Sequence, residues 1–102
     1  MIFEGDTMYL FLYRVRAKSP DVAPDICRVF DHALSLFQEP GWLGGSCVVN
    51  LDDPCDVLIY EKWGSLAEMR AWLDSSARQQ AHRDLEPYTD GPSRETTYRD
   101  AV

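Results

Sequence analysis

The chain has 102 residues, 45% apolar and 26% charged, which is the length of one domain and the composition of a globular protein rather than a disordered or fibrous one. At that length a fold buries roughly 60–70% of the surface its unfolded form exposes, enough for one core. A formal net charge of −7 opposes any phosphate backbone, so nucleic acid is not an expected partner, and no run nears the ~20 apolar residues that span a bilayer.

Thr7 to Arg16 is aromatic and β-branched and predicts a strand with both faces buried over most of its length. Its odd positions carry Tyr9, Phe11, Tyr13 and Val15; its even positions carry Met8, Leu10 and Leu12 before Arg14 and Arg16. Ser19-Pro20 then predicts a capped helix start, followed by a stripe of Val22, Ile26, Val29, Phe30, Ala33, Leu34 and Phe37 at helical spacing. Pro24 is tolerable in the first turn, and Glu39-Pro40-Gly41 ends the helix. His32 lies opposite the stripe, on the solvent side.

Gly44–Leu51 and Cys55–Trp63 predict two strands joined by Asp52-Asp53-Pro54 as an antiparallel hairpin. Ser65-Leu66-Ala67-Glu68 is a capping box, with the Glu expected to reach back to its own helix start. Leu66, Met69, Trp72 and Leu73 give that helix an apolar face. Asp74-Ser75-Ser76 interrupts it before a third helical stretch from about Ala77 to Leu85, which Pro87 stops. Arg78, His82 and Arg83 fall within about one and a half turns of it, a local basic cluster suited to an anionic or phenolate ligand. After the turn at Asp90-Gly91-Pro92, Glu95–Arg99 predicts a polar edge strand.

The order β-α-β-β-α-(α)-β is the split βαβ arrangement: an α+β, ferredoxin-like fold with a four-stranded antiparallel sheet and its helices on one face. Residues 1–102 form a single domain with its core at about 8–99. Because the first and third strands are apolar on both faces, the uncovered face needs a partner. A second copy of the chain is the economical one, making a dimeric α+β barrel. Cys27, Cys47 and Cys55 are odd in number, lack Cys-x-x-Cys spacing and lie in apolar stretches, so core thiols are expected. The acidic residues among the first six positions are unlike a secretory leader, and a cytoplasmic location is the expectation. No metal-ligand cluster, phosphate-binding glycine loop, nucleotide fingerprint or Ser-His-Asp set is visible.

Pro40-Gly41-Trp42-Leu43-Gly44, Ile59-Tyr60-Glu61-Lys62-Trp63, and Ala71-Trp72-Leu73-Asp74-Ser75 running to Ala81-His82-Arg83 together resemble the signatures of the antibiotic-biosynthesis monooxygenase family. Element order and spacing carry the resemblance from Met8 to about Tyr98. It implies a homodimer, and relatives that oxidise anthrone- or quinol-type aromatics without metal or flavin: substrate deprotonation gives an electron-rich anion that reacts with oxygen itself. It also admits haem, since some relatives bind haem and cleave its ring.

Trp63, His82 and Arg83 are the catalytic candidates, and Tyr13, Arg14, Tyr60 and Trp72 the substrate-binding ones. Trp63 could donate its indole N–H to a developing oxyanion, or serve as an aromatic plug between strand and helix. His82 is the candidate base, or an axial ligand if haem binds, against the plainer reading of a partly exposed helix residue. Trp72 and His82 share the spacing of the haem-degrading branch, although that branch's strand Asn is Arg14 or Tyr13 here. Arg83 matches a site Arg of the anthrone oxidisers, whose strand Asn and helix Tyr are Ile59 and Met69 here. Tyr13 and Tyr60 could bond a phenolic ligand.

Three functions follow. The first is a cofactor-independent monooxygenase acting on a small aromatic, quinol or polyketide-type ligand. The second is a haem-binding, haem-degrading monooxygenase. The third is a non-catalytic dimeric ligand-binding or accessory protein, because a fold does not fix a function.

Overall fold

The computed structural model describes residues 7–36 and 41–101. Phe37 of the expected stripe, the Glu39-Pro40 stop and the first six residues lie outside them. Strands β1 (Tyr9–Arg16), β2 (Trp42–Val49), β3 (Asp56–Trp63) and β4 (Arg94–Arg99) form one sheet in the order β2-β3-β1-β4, and every pairing is antiparallel. Helices α1 (Ala23–Ser35), α2 (Leu66–Leu73) and α3 (Ser76–Leu85) cover one face, as the ferredoxin-like arrangement requires.

Strand alternation sorts the residues between the two faces. Phe11, Tyr13, Val15, Val57, Ile59 and Trp63 are buried beneath the helices, against Ile26, Phe30 and Ala33 of α1 and Met69 and Trp72 of α2. The opposite face carries Leu10, Leu12, Leu58 and Tyr60, half-buried, with exposed Val48 and Tyr98 beside them. A groove of about 430 Å³ runs over this open face, floored by Leu12, Leu58, Val48 and Tyr98 and flanked by Arg14 and Arg94. Arg14 holds Asp56 through two bonds of 2.8 and 2.6 Å, and Arg16 holds Asp53 at 2.8 Å. Arg14 and Asn50 thereby lower the Asp56 pKa to about 2.

Several expectations are corrected at this level. Ser19 makes no side-chain cap; Pro20–Val22 forms a single 3₁₀ turn, and α1 begins at Ala23 with Pro24 in its first turn. Strand β2 starts two residues early, at Trp42, because an irregularity between Trp42 and Gly44, with Gly44 at φ 118, absorbs the turn there. Ser65 Oγ does accept the Glu68 N–H at 3.3 Å, but the Glu68 carboxylate accepts from the Gly41 N–H instead of closing the box. Gly41 O in turn accepts from Gly64 N at 2.7 Å, so Glu68 ties the start of β2 to α2.

The cysteine expectation is also overturned. Cys27 on α1 and Cys47 on β2 form a disulfide with Cα atoms 5.4 Å apart, within the span a disulfide bridges, and Cys55 alone is a free thiol. Packing α1 across the edge strand brings the pair together, which twenty residues of separation do not reveal. Among the described residues, no helix is long and apolar enough to cross a membrane.

Candidate active site

Period-two alternation along β3 places Glu61 on the same inward face as Val57, Ile59 and Trp63. Its carboxylate is fully buried and must find donors there. It finds two indoles: Trp63 Nε1 donates to Oε1 at 3.0 Å, and Trp72 Nε1 donates to Oε2 at 3.2 Å. Burial raises the Glu61 pKa, and the two indole bonds oppose that shift only in part.

A second polar cluster lies where α3 crosses β1 and β4. Ser75 caps α3 by accepting the Arg78 N–H, and helical spacing from Arg78 places Ala81, His82 and Leu85 toward the sheet. Arg78 is only 6% exposed. Its guanidinium lies 5.2 Å from the Phe11 ring centre and 5.4 Å from that of Tyr13, and it is ion-paired with Glu95 Oε1 on β4. The same oxygen is 3.6 Å from His82 Nε2, while the Tyr13 hydroxyl lies 3.0 Å from His82 Nδ1. Glu95 can stand there because β4 pairs it directly with Tyr13.

Burial, and then the Arg78 charge, lower the His82 pKa, so the imidazole is neutral near pH 7; Glu95 opposes them. Burial raises the Tyr13 pKa, against a bond from the exposed Ser93 side chain and the Arg78 charge. The arrangement can hold one proton between imidazole and phenol.

The seven sequence-predicted residues do not share one place. Trp63 and Trp72 are wholly enclosed and both donate to Glu61, so the plug reading of Trp63 describes its position better than the oxyanion donor does. Tyr13 and His82 are brought into contact. Arg83 is exposed and bonds Gln80 Oε1 at 2.8 Å on the outer side of α3, because its place in the helix turns it away from the sheet. Arg78, five residues earlier, is the buried arginine of that helix. Arg14 and Tyr60 stand on the open face, opposite Leu58 and Leu12 respectively.

Glu61 and Glu95 were missed by sequence reasoning. Glu61 carried a signal, since it is a charge on an otherwise apolar inward register. Glu95 carried none, because its role depends on strand pairing.

Beneath the helices, a slot of about 150 Å³ lies between α1 and the β2–β3 edge, lined by Phe30, Leu34, Trp42, Cys47 and Ile59 among others. That is below the roughly 300–1,000 Å³ of small-molecule pockets, so a ligand entering there displaces side chains. Both residues that the haem alternative rests on are engaged within the fold. The axial candidate His82 has Nδ1 on Tyr13 and Nε2 facing Glu95, and Trp72 is sealed in the core. Among the described residues no group of three or more His, Cys, Asp or Glu is placed to hold a metal ion.

A family model described as antibiotic biosynthesis monooxygenase matches residues 8–84. No curated protein matches the chain. Among solved structures, a Nitrosomonas europaea protein provisionally assigned as an antibiotic biosynthesis monooxygenase is similar at TM-score 0.79 and 17% identity, over 99% of this chain and 96% of its own. A conserved protein of Methanosarcina mazei Go1 is similar at TM-score 0.78 and 12% identity, over 96% and 97%. A point mutant of SnoaB, a cofactor-independent oxygenase from Streptomyces nogalater, is similar at TM-score 0.74 and 13% identity, over 95% of each chain. At these identities the likeness establishes the fold.

Proposed function

The chain belongs to the antibiotic biosynthesis monooxygenase family, and on that premise we propose that it oxygenates a weakly acidic aromatic, quinol or anthrone-type substrate without a cofactor, with His82 as the final proton acceptor. The observation that carries the reading is the partly buried imidazole of His82 in contact with the Tyr13 hydroxyl, with burial lowering the imidazole pKa. A base held neutral at working pH is what deprotonation of such a substrate needs.

Loss of the proton leaves a carbanion that adds oxygen directly. The peroxide formed takes up one proton and then eliminates water, so that a CH₂ group and one O₂ become a carbonyl and one H₂O. The fold similarity to a cofactor-independent oxygenase is consistent with this chemistry. The buried ring of Tyr13 gives the site an apolar wall, which favours the shielding from water that a reactive anion requires.

The reading includes a homodimer formed through the open face, whose half-buried Leu10, Leu12, Leu58 and Tyr60 favour cover by a like surface. It also takes the protein to be cytoplasmic, where the reducing thiol pool would act on Cys27 and Cys47.

Oxygen uptake by metal-free protein with a panel of anthrones and quinols tests the function. Turnover above buffer that His82→Ala lowers about 100-fold is expected. No uptake across the panel would favour the accessory-protein alternative.

A further inference from the structure

Resting on that reading, His82 has a geometric difficulty as a base acting alone. Its Nδ1 is already bonded to Tyr13, and its Nε2 faces Glu95. The Glu95 carboxylate beside Nε2 repels the anion a substrate would become there, so the substrate's proton is passed to the imidazole from the other side, through Tyr13.

We propose that Tyr13, His82 and Glu95 form a proton relay in which Tyr13 is the group that takes the proton from substrate, with Glu95 and Arg78 as the positioning residues that fix the imidazole. The substrate's acidic O–H or C–H gives its proton to Tyr13 Oη as the Tyr13 proton passes to His82 Nδ1. The products are a substrate anion, a neutral tyrosine and an imidazolium whose Nε2–H points at the Glu95 carboxylate. Charge and protons balance with no other reactant.

Four features support the assignment. The negative charge of Glu95, 3.6 Å from Nε2, favours the tautomer protonated there, which presents the Nδ1 lone pair to the phenol. Arg78, buried over the Tyr13 ring, stabilises negative charge that develops on the phenol oxygen as the two protons move. Its Nε is a buried donor with no bond among the described residues, so this cation has capacity left for the charge formed in the reaction. Lastly, the Tyr13 hydroxyl lies near Ser93, an exposed residue just before β4. A substrate that displaces Ser93 meets Tyr13 Oη directly.

Ser93 and Glu95 lie outside the residues that the family model matches, so family membership by itself does not supply this cluster. Tyr13 from β1, Arg78 from α3, and Glu95 and Ser93 from the last strand and its approach are the polar groups facing the imidazole and phenol; α1 contributes the apolar Phe30 ring, 5.2 Å from that of Tyr13.

The test uses ¹⁵N NMR of the His82 ring in the full-length protein. Wild type is expected to show the neutral tautomer protonated at Nε2. Tyr13→Phe, which keeps the packing and removes the bond to the neutral ring, raises the His82 titration midpoint, and Glu95→Gln lowers it. A proton on Nδ1, or one midpoint shared by all three proteins, overturns the relay.

If the wild type consumes oxygen with an anthrone, Tyr13→Phe lowers kcat about 100-fold with KM within twofold. An unchanged kcat beside a shifted midpoint reduces Tyr13 to a structural prop and overturns its proton-taking role. If the wild type consumes no oxygen on any substrate, the functional reading fails, and the NMR result still decides the relay.

Discussion

At the residue scale, the two buried acceptor sites of Glu61 carry the clearest energetic consequence. Glu61→Ala removes the acceptor from two buried indole N–H groups, each worth about 1–3 kcal/mol, so a loss of about 2–6 kcal/mol in urea unfolding is expected. Glu61→Gln keeps one acceptor and turns an amide N–H toward the other indole, and so loses less. The pH dependence follows from the raised pKa. Its contribution is complete below the unfolded value of about 4.3 and is lost as pH rises through the folded one. The wild type therefore gains on Glu61→Gln as pH falls from 7 toward 4, whereas a pH-independent gap between them would show no such shift. Tyr13 and His82 were legible as candidates from residue type and helix position, but their contact was not, since 69 residues separate them. Arg83 shows the reverse: a motif match named it, and one step around the helix set it outside.

At the element scale, apolar periodicity was the reliable guide. The inward rows of β1 and β3 and the α2 face of Met69 and Trp72 lie where alternation and helical spacing put them. Ends were less legible, because caps depend on partners distant in sequence. Ser19 caps nothing, and Glu68 leaves its own helix start for Gly41. Ser65 and Ser75 do cap, and Ser65→Ala or Ser75→Ala is expected to lower stability by about 0.5–2 kcal/mol in thermal or urea unfolding. The Cys27–Cys47 link, closing a loop of twenty residues, should stabilise by about 3 kcal/mol, measured as the loss on adding a reductant to unfolding experiments. Alkylation on cell lysis reads its state in place. One reactive thiol, Cys55, marks the disulfide as formed, and three mark it as reduced.

At the scale of the whole molecule, the open sheet face was legible because β1 and β3 are apolar on both sides. If a second copy covers it, Leu12→Glu places two like charges near the dimer axis, and sedimentation should show a monomer while circular dichroism keeps the wild-type shape. A wild type that sediments as a monomer at high concentration would refute the paired face. Tyr13 stands on β1, an inner strand held on both sides, whereas Glu95 stands on β4, an outer strand bonded along one side only. Outer strands open more often than inner ones, so the two ends of the Tyr13–Glu95 cluster have different lifetimes. Amide exchange along Arg94–Arg99 would then act as a clock for the site: the cluster is assembled only for as long as the last strand stays zipped to β1.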